Sequence, residues 1–237
     1  MERGSRREIM TLTVEFPGGN KDRKTEGYLA RPKGVGKYPA VIVIHEIWGL
    51  VDHIKDVAER LAREGYVALA VDLFEGKTVS KIEDGQKIRA EFTEEKHMGN
   101  LKGGVAYLKT LDYVNASRIG SIGFCMGGWL SLLLACNSKD VAAAVAFYGR
   151  PPTPIDLVKN IPCPILGNYG GADLGITEAD INALKAALTK YGKKFDIKVY
   201  PGAPHAFFND TRESYRPEAA KDAWNRTLTF FKENLKN

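Results

Sequence analysis

Residues 40–45 read AVIVIH, a continuous apolar and mostly β-branched run. A strand with water on one face alternates polar and apolar residues, so a run without alternation marks a strand buried on both faces. YVALAV (66–71) and RIGSIGF (118–124) repeat the pattern, and VAAAVAFY (141–148), CPILGNY (163–169) and FDIKVY (195–200) extend it. Segments of helical period lie between them. Ile54, Val57, Ala58, Leu61 and Ala62 recur on one face, with Asp52 expected as the cap and Gly65 closing the helix. Further helices are expected around 178–190 and 217–235. The more polar stretch after the second buried strand is helical in parts, with Ile88–Phe92 and Leu101, Val105 and Leu108 facing inward. TLTVEF (11–16) and EGYLAR (26–31), split by PGGNKDRK, read as an opening hairpin. Buried strands alternating with amphipathic helices require an α/β fold, a mostly parallel central sheet with helices on both faces.

The 237 residues show no repeat, low-complexity tract or linker, and RPPTPIDLVKNIPCP (150–164) reads as an excursion before a strand. One domain over residues 11–237 is therefore expected, preceded by a flexible arm at 1–10. That arm, MERGSRREIM, is basic and lacks the apolar segment of a secretory signal. No apolar stretch approaches the roughly 18–20 residues a membrane helix needs, so no membrane partner is expected. The net charge of +5 comes from Lys and Arg scattered among 29 acidic residues, which argues against a nucleic-acid surface and suits an anionic small substrate. Three cysteines, at 125, 136 and 163, form no CxxC pair; an odd number without a framework points to a reducing, cytoplasmic setting.

In such sheets function gathers at the carboxyl ends of the strands. Gly123-Phe124-Cys125-Met126-Gly127 follows a buried strand and opens a helix, matching the G-x-nucleophile-x-G elbow. The turn projects the central side chain above the sheet, and the helix N-terminus favours an anion there. Asp173, in GGAD, and His205, in PGAPHAF, follow two later strands in the order nucleophile, acid, histidine. The bland alternatives are a small buried thiol, as Cys136 and Cys163 are expected to be, a loop carboxylate with Asp180 as rival acid, and a satisfied loop histidine.

Glu46 lies in HEIWGL, just after the first buried strand. There it either accepts the Cys125 proton or pairs with a surface base, and an anion so placed would raise the thiol's pKa. The backbone N–H groups of Ile47 and Met126 are the expected oxyanion hole. His45-Glu46 is not a zinc motif, because HExxH needs histidine at 49, where glycine stands. Neither a metal nor another cofactor is expected, and GGNK, GKYP and GGAD match no phosphate loop.

Assembled, these residues make the chain similar to the dienelactone hydrolase (carboxymethylenebutenolidase) family of the α/β-hydrolase superfamily. The resemblance runs from about Thr11 to the last helix, through GYLARP, HEIWGL, VDLF, IGFCMGG, GGAD, YPGAPHAFFND and AAKDAW. It implies a Cys–Asp–His triad at Cys125, Asp173 and His205, a glutamate at Glu46 that helps to form the thiolate, and no cofactor. It further implies hydrolysis of enol-lactones or activated esters through a thioester. The family's chlorocatechol enzymes bind the substrate carboxylate with arginines, one shortly after the catalytic histidine; Asn209 stands there in this chain. Lys77, Lys81, Arg89, Arg212 and Arg216 are the neighbouring bases. Trp48, Phe207, Phe208 and Asn209 are the expected substrate contacts, with core or lid packing the alternative for the three aromatics.

The substrate class expected is a small ester or lactone that can be anionic, handled by a monomer or homodimer. Thioesterase or acyl-transfer chemistry with the same triad is the competing enzymatic reading. A non-catalytic or redox-sensing binding protein is the other class, and the intact triad weighs against it.

Overall fold

The computed structural model describes residues 7–236. Its strands are β1 (Ile9–Phe16), β2 (Thr25–Pro32), β3 (Tyr38–Ile44), β4 (Val67–Val71), β5 (Val114–Phe124), β6 (Ala143–Phe147), β7 (Ile165–Gly170) and β8 (Phe195–Tyr200). They form one sheet in the order β1-β2-β4-β3-β5-β6-β7-β8. The opening pair is antiparallel, as is β2 against β4, and every later pairing is parallel. The mostly parallel sheet is thus as expected.

The unalternating runs are buried on both faces for the anticipated reason. In β3, Ala40, Ile42 and Ile44 pack into one core, while Val41 and Val43 pack into the other. Helices α3 (Glu94–Thr110), α4 (Met126–Asn137) and α5 (Glu178–Lys190) cover the first face through Leu101, Leu133 and Leu184. Helices α1 (Asp52–Arg63) and α6 (Pro217–Phe231) cover the second through Val57, Leu61 and Phe231. The remaining helix, α2 (Ile82–Glu91), inserts Ile88 at the margin of the first core.

Two local expectations need correction. The arm does not extend to residue 10: Ile9 and Met10 pair with Pro32 and Arg31, because two apolar residues there extend the strand ladder. Residues 1–6 of that expected arm lie outside the described residues. Asp52 is not a cap either. The helix begins at Asp52 itself, Val51 occupies the cap position, and the Asp52 carboxylate accepts from Lys55 at 3.3 Å. One residue inside the helix, its charge still complements the dipole.

Because β3 and β5–β8 run parallel, their carboxyl ends open on one edge. Glu46, Cys125, Tyr148, Asp173 and His205 all follow such ends. Among the described residues no helix is long and apolar enough to cross a membrane.

Candidate active site

Cys125 joins β5 to α4 with φ 54° and ψ −113°. A side chain at positive φ is uncommon and strained, and the surrounding contacts hold it there. Its N–H donates to the Phe147 carbonyl at 3.0 Å, and its own carbonyl accepts from Gly128 at 3.0 Å. The framing glycines are sterically required. A Cβ on Gly123 would run into the Gly127 carbonyl, and one on Gly127 would run into the carbonyls of Ile44 and His45. The elbow motif is therefore a packing requirement between the β5–α4 turn and the end of β3. Cys125 is half-buried on a cavity, whereas Cys136 and Cys163 are buried thiols whose pKa burial pushes up to about 12.

The His205 Nδ1 and Asp173 Oδ2 atoms are 2.6 Å apart. The other Asp173 oxygen accepts from the N–H groups of Gly175 and Ile176, at 2.8 and 3.0 Å, so the carboxylate is fixed on both sides. Burial alone would raise the Asp173 pKa, but the bond to His205 and these backbone donors bring it below the usual value. His205 is the reverse. Burial favours the neutral ring, yet hydrogen bonds to Asp173 and Cys125 together raise its pKa to about 10. The rival acid, Asp180, instead closes a capping box with Thr177 at the start of α5.

Glu46 is 1 % exposed. The Tyr148 hydroxyl donates to its Oε1 at 3.3 Å and the Asn209 amide to its Oε2 at 2.7 Å. Burial raises the carboxyl's pKa, partly offset by the charge of His53, the Asn209 bond, the charge of His205 and the Tyr148 bond. Among the described residues no hydrogen bond joins Glu46 to Cys125, although both line the same cavity.

That cavity holds about 690 Å³. Cys125, Asp173, His205, Glu46, Ile47, Met126 and Trp48 all border it, so seven residues singled out from sequence meet at one place. The N–H groups of Ile47 and Met126 have no hydrogen-bond partner among the described residues, which leaves both available to an oxyanion. Arg89, from α2, and Arg150 bring positive charge to the rim, and Trp129, Leu174 and Ile176 add apolar wall.

Three expected substrate contacts are not there. Phe207 and Phe208 are 0 % and 2 % exposed and pack against Phe147 in the core. Asn209 is 1 % exposed, and both ends of its amide are occupied: the NH₂ by Glu46, the oxygen by Thr211. It is turned onto the glutamate and does not border the cavity. Of the other bases considered, Lys77 pairs with Glu91, Arg212 stacks 4.0 Å from the Trp48 ring centroid, and Arg216 donates to the carbonyls of Glu213 and Tyr215.

Sequence reasoning missed Tyr148, whose φ of 40° turns it off the end of β6. It also missed His53, on α1. A tyrosine ending an apolar strand and a histidine on the buried face of a helix both look like core. Only the contacts reveal them. Among the described residues no group of three or more His, Cys, Asp or Glu side chains is placed to hold a metal ion.

The model of the "Dienelactone hydrolase family" matches residues 25–235. A Synechocystis protein named "Putative carboxymethylenebutenolidase" is 39% identical over 246 residues, covering 97% of this chain and 99% of its own. A Bradyrhizobium protein named "Probable 2-oxo-3-(5-oxofuran-2-ylidene)propanoate lactonase" is 34% identical, with 92% of each chain covered. Among solved structures, a crystal structure described as a "Putative Dienelactone Hydrolase" from Klebsiella pneumoniae superposes with a TM-score of 0.87 at 31% identity, covering 94% of this chain and 99% of that one. The sheet order, the elbow and this likeness together identify the architecture as the α/β-hydrolase fold.

Proposed function

Because the chain belongs to the dienelactone hydrolase family, we propose that this hydrolase opens enol-lactones or activated carboxylic esters through a thioester on Cys125. The observation that carries the reading is the strained Cys125 elbow on the same cavity as a His205–Asp173 pair held at 2.6 Å.

The chemistry follows from the electrostatics. Glu46 takes the proton from the Cys125 sulfur, and the thiolate attacks the substrate carbonyl. Ile47 and Met126 N–H groups hold the oxyanion. As the tetrahedral adduct collapses, protonated His205 gives its proton to the departing oxygen, leaving a thioester and a neutral imidazole. The high pKa of His205 depends in part on its hydrogen bond and charge interaction with Cys125. Acylation removes both, so the ring is freed to take a proton from water. Hydroxide attacks the thioester, the acid leaves, and the thiolate recovers its proton from Glu46. Charges and protons return to their starting places, with no cofactor.

Arg89 and Arg150, on a cavity that also carries Glu46, Glu94 and Asp173, suit a substrate with an anionic group, in place of the arginine absent at Asn209. The names of the Synechocystis and Bradyrhizobium relatives support the lactone class.

Intact-protein mass spectrometry after brief mixing with an activated aryl ester tests the reading. Wild type is expected to show a transient acyl adduct together with turnover, and Cys125→Ala neither. Undiminished turnover by the alanine variant would reject the cysteine as nucleophile.

A further inference from the structure

His45, the histidine of HEIWGL and the first residue after β3, has no part in the proposed chemistry. It is 0 % exposed and does not border the cavity. Both of its ring nitrogens are engaged. Nδ1 lies 2.5 Å from the Glu46 carbonyl oxygen, and the Leu73 N–H donates to Nε2 at 3.1 Å. A carbonyl oxygen only accepts and a backbone N–H only donates, so these two contacts fix the tautomer: Nδ1 carries the proton and Nε2 the lone pair. Burial lowers the pKa of the ring and so favours this neutral form.

The two partners belong to different loops. Leu73 follows β4 in a turn organised by Asp72, whose carboxylate accepts from the N–H groups of Phe74 at 2.9 Å and Gly76 at 2.5 Å. That turn and the loop after β3 are also joined further on. The Val79 N–H donates to the Trp48 carbonyl at 3.1 Å, and a Cβ on Gly49 would run into the Lys77 carbonyl. His45 is thus braced from the β4 side, with its Nδ1–H aimed at the Glu46 carbonyl. That carbonyl belongs to the same peptide group as the Ile47 N–H. The group is trans and planar, so its C=O and N–H point in opposite directions. Turning the carbonyl onto His45, outside the cavity, turns the N–H the other way, and Ile47 borders the cavity. The Gly49 N–H also reaches the carbonyl, but at 3.4 Å, a longer and weaker bond. A carbonyl that accepts a short hydrogen bond is polarised, which strengthens the N–H of its own peptide as a donor.

We infer that His45, as its neutral Nδ1–H tautomer, orients the oxyanion hole: through the Glu46 carbonyl it aims and polarises the Ile47 N–H toward the substrate oxygen. The inference rests on the reading of Ile47 and Met126 as the donors to that oxygen. His45 is then a positioning residue, separated from substrate by one peptide group.

Two substitutions divide the ring's two contacts. Asparagine can place an amide N–H where Nδ1 stands and removes the acceptor; glutamine can place a carbonyl oxygen where Nε2 stands and removes the donor. For an activated aryl ester, His45→Gln is expected to lower kcat about 10- to 100-fold with KM within about twofold, because the lost interaction forms only with the oxyanion. His45→Asn should recover most of that rate. An aryl trifluoromethyl ketone reads the same donors without turnover. The Cys125 thiolate adds to its carbonyl carbon, a sulfur–carbon bond forms, and the π pair becomes an alkoxide on oxygen. Its inhibition constant should rise in His45→Gln by about the factor that kcat falls, and return toward wild type in His45→Asn. Equal losses in the two variants, following their losses in Tm, would overturn the inference, since a merely structural histidine gives that result. A fall in kcat in His45→Gln with an unchanged inhibition constant would overturn it as well. If Cys125→Ala binds the ketone as tightly as wild type does, the reading of thiol and oxyanion fails first, and the inference falls with it.

Discussion

At the scale of single residues, Asp173 and His205 state each other's charge. The Asp173 pKa lies below its ordinary value and that of His205 rises to about 10, so the ion pair is stabler than its separated members in the unfolded chain. For His205 the raised value means a contribution fully present below its unfolded pKa of about 6.5 and lost as pH climbs toward about 10. For Asp173 the lowered value means a contribution present above its unfolded pKa and lost on acidification. Thermal denaturation of Asp173→Asn should therefore give a Tm profile flatter than wild type on the alkaline side. The same variant should lose about 10³–10⁴ in kcat/KM, since the ring loses its orientation and its tautomer. Equal Tm profiles would show that the pair contributes nothing to folding, and near-wild-type kinetics would displace Asp173 as the triad acid.

At the scale of elements, two turns were open to more than one reading. In the β7–α5 connection, Asp173 and Asp180 are both acids within reach of the strand end in sequence. The capping box separates them: the Thr177 N–H and hydroxyl donate to Asp180 Oδ2 at 2.8 and 2.7 Å. Asp180→Ala should cost about 1 kcal/mol of stability, read by urea denaturation, while kcat/KM stays within about twofold. A collapse in rate with stability intact would reverse the two assignments. In the β5–α4 connection the glycines of the elbow admit the backbone of β3's end, so the Cys125 turn and the loop after β3 are packed as one piece.

At the scale of the whole molecule, a net charge of +5 says little about where an anion would bind. The fold decides that by bringing Arg89, from α2, and Arg150, beyond β6, to one rim. Both are exposed, so their attraction is screened by salt. Arg150→Ala should raise KM for a carboxylate-bearing ester about three- to tenfold at low ionic strength and leave a neutral ester unchanged, with the difference shrinking as salt is added. Equal effects on both esters would remove Arg150 from anion recognition.

The class of fold was legible because burial on both faces of a strand leaves a direct mark in composition: AVIVIH cannot be an exposed strand. The meeting of Cys125, Asp173 and His205 on one cavity was legible because parallel strands deliver their carboxyl ends to one edge, so chain order alone predicts which loops meet. The same reasoning failed for Phe207, Phe208 and Asn209, three neighbours of His205 that were expected to meet substrate. Sequence places a residue near a site but does not say toward which side it turns; here the turn after His205 directs the rings into the core and the amide onto Glu46. Tyr148 and His53 escaped for the complementary reason. Their types and surroundings are those of core residues, and their chemical partners lie 102 and 157 positions away in the chain. Local pattern thus determined the strands, the elbow and the order of Cys125, Asp173 and His205 along the chain, while the pairing of buried polar groups was settled only where distant segments pack and leave each charge a single set of neighbours.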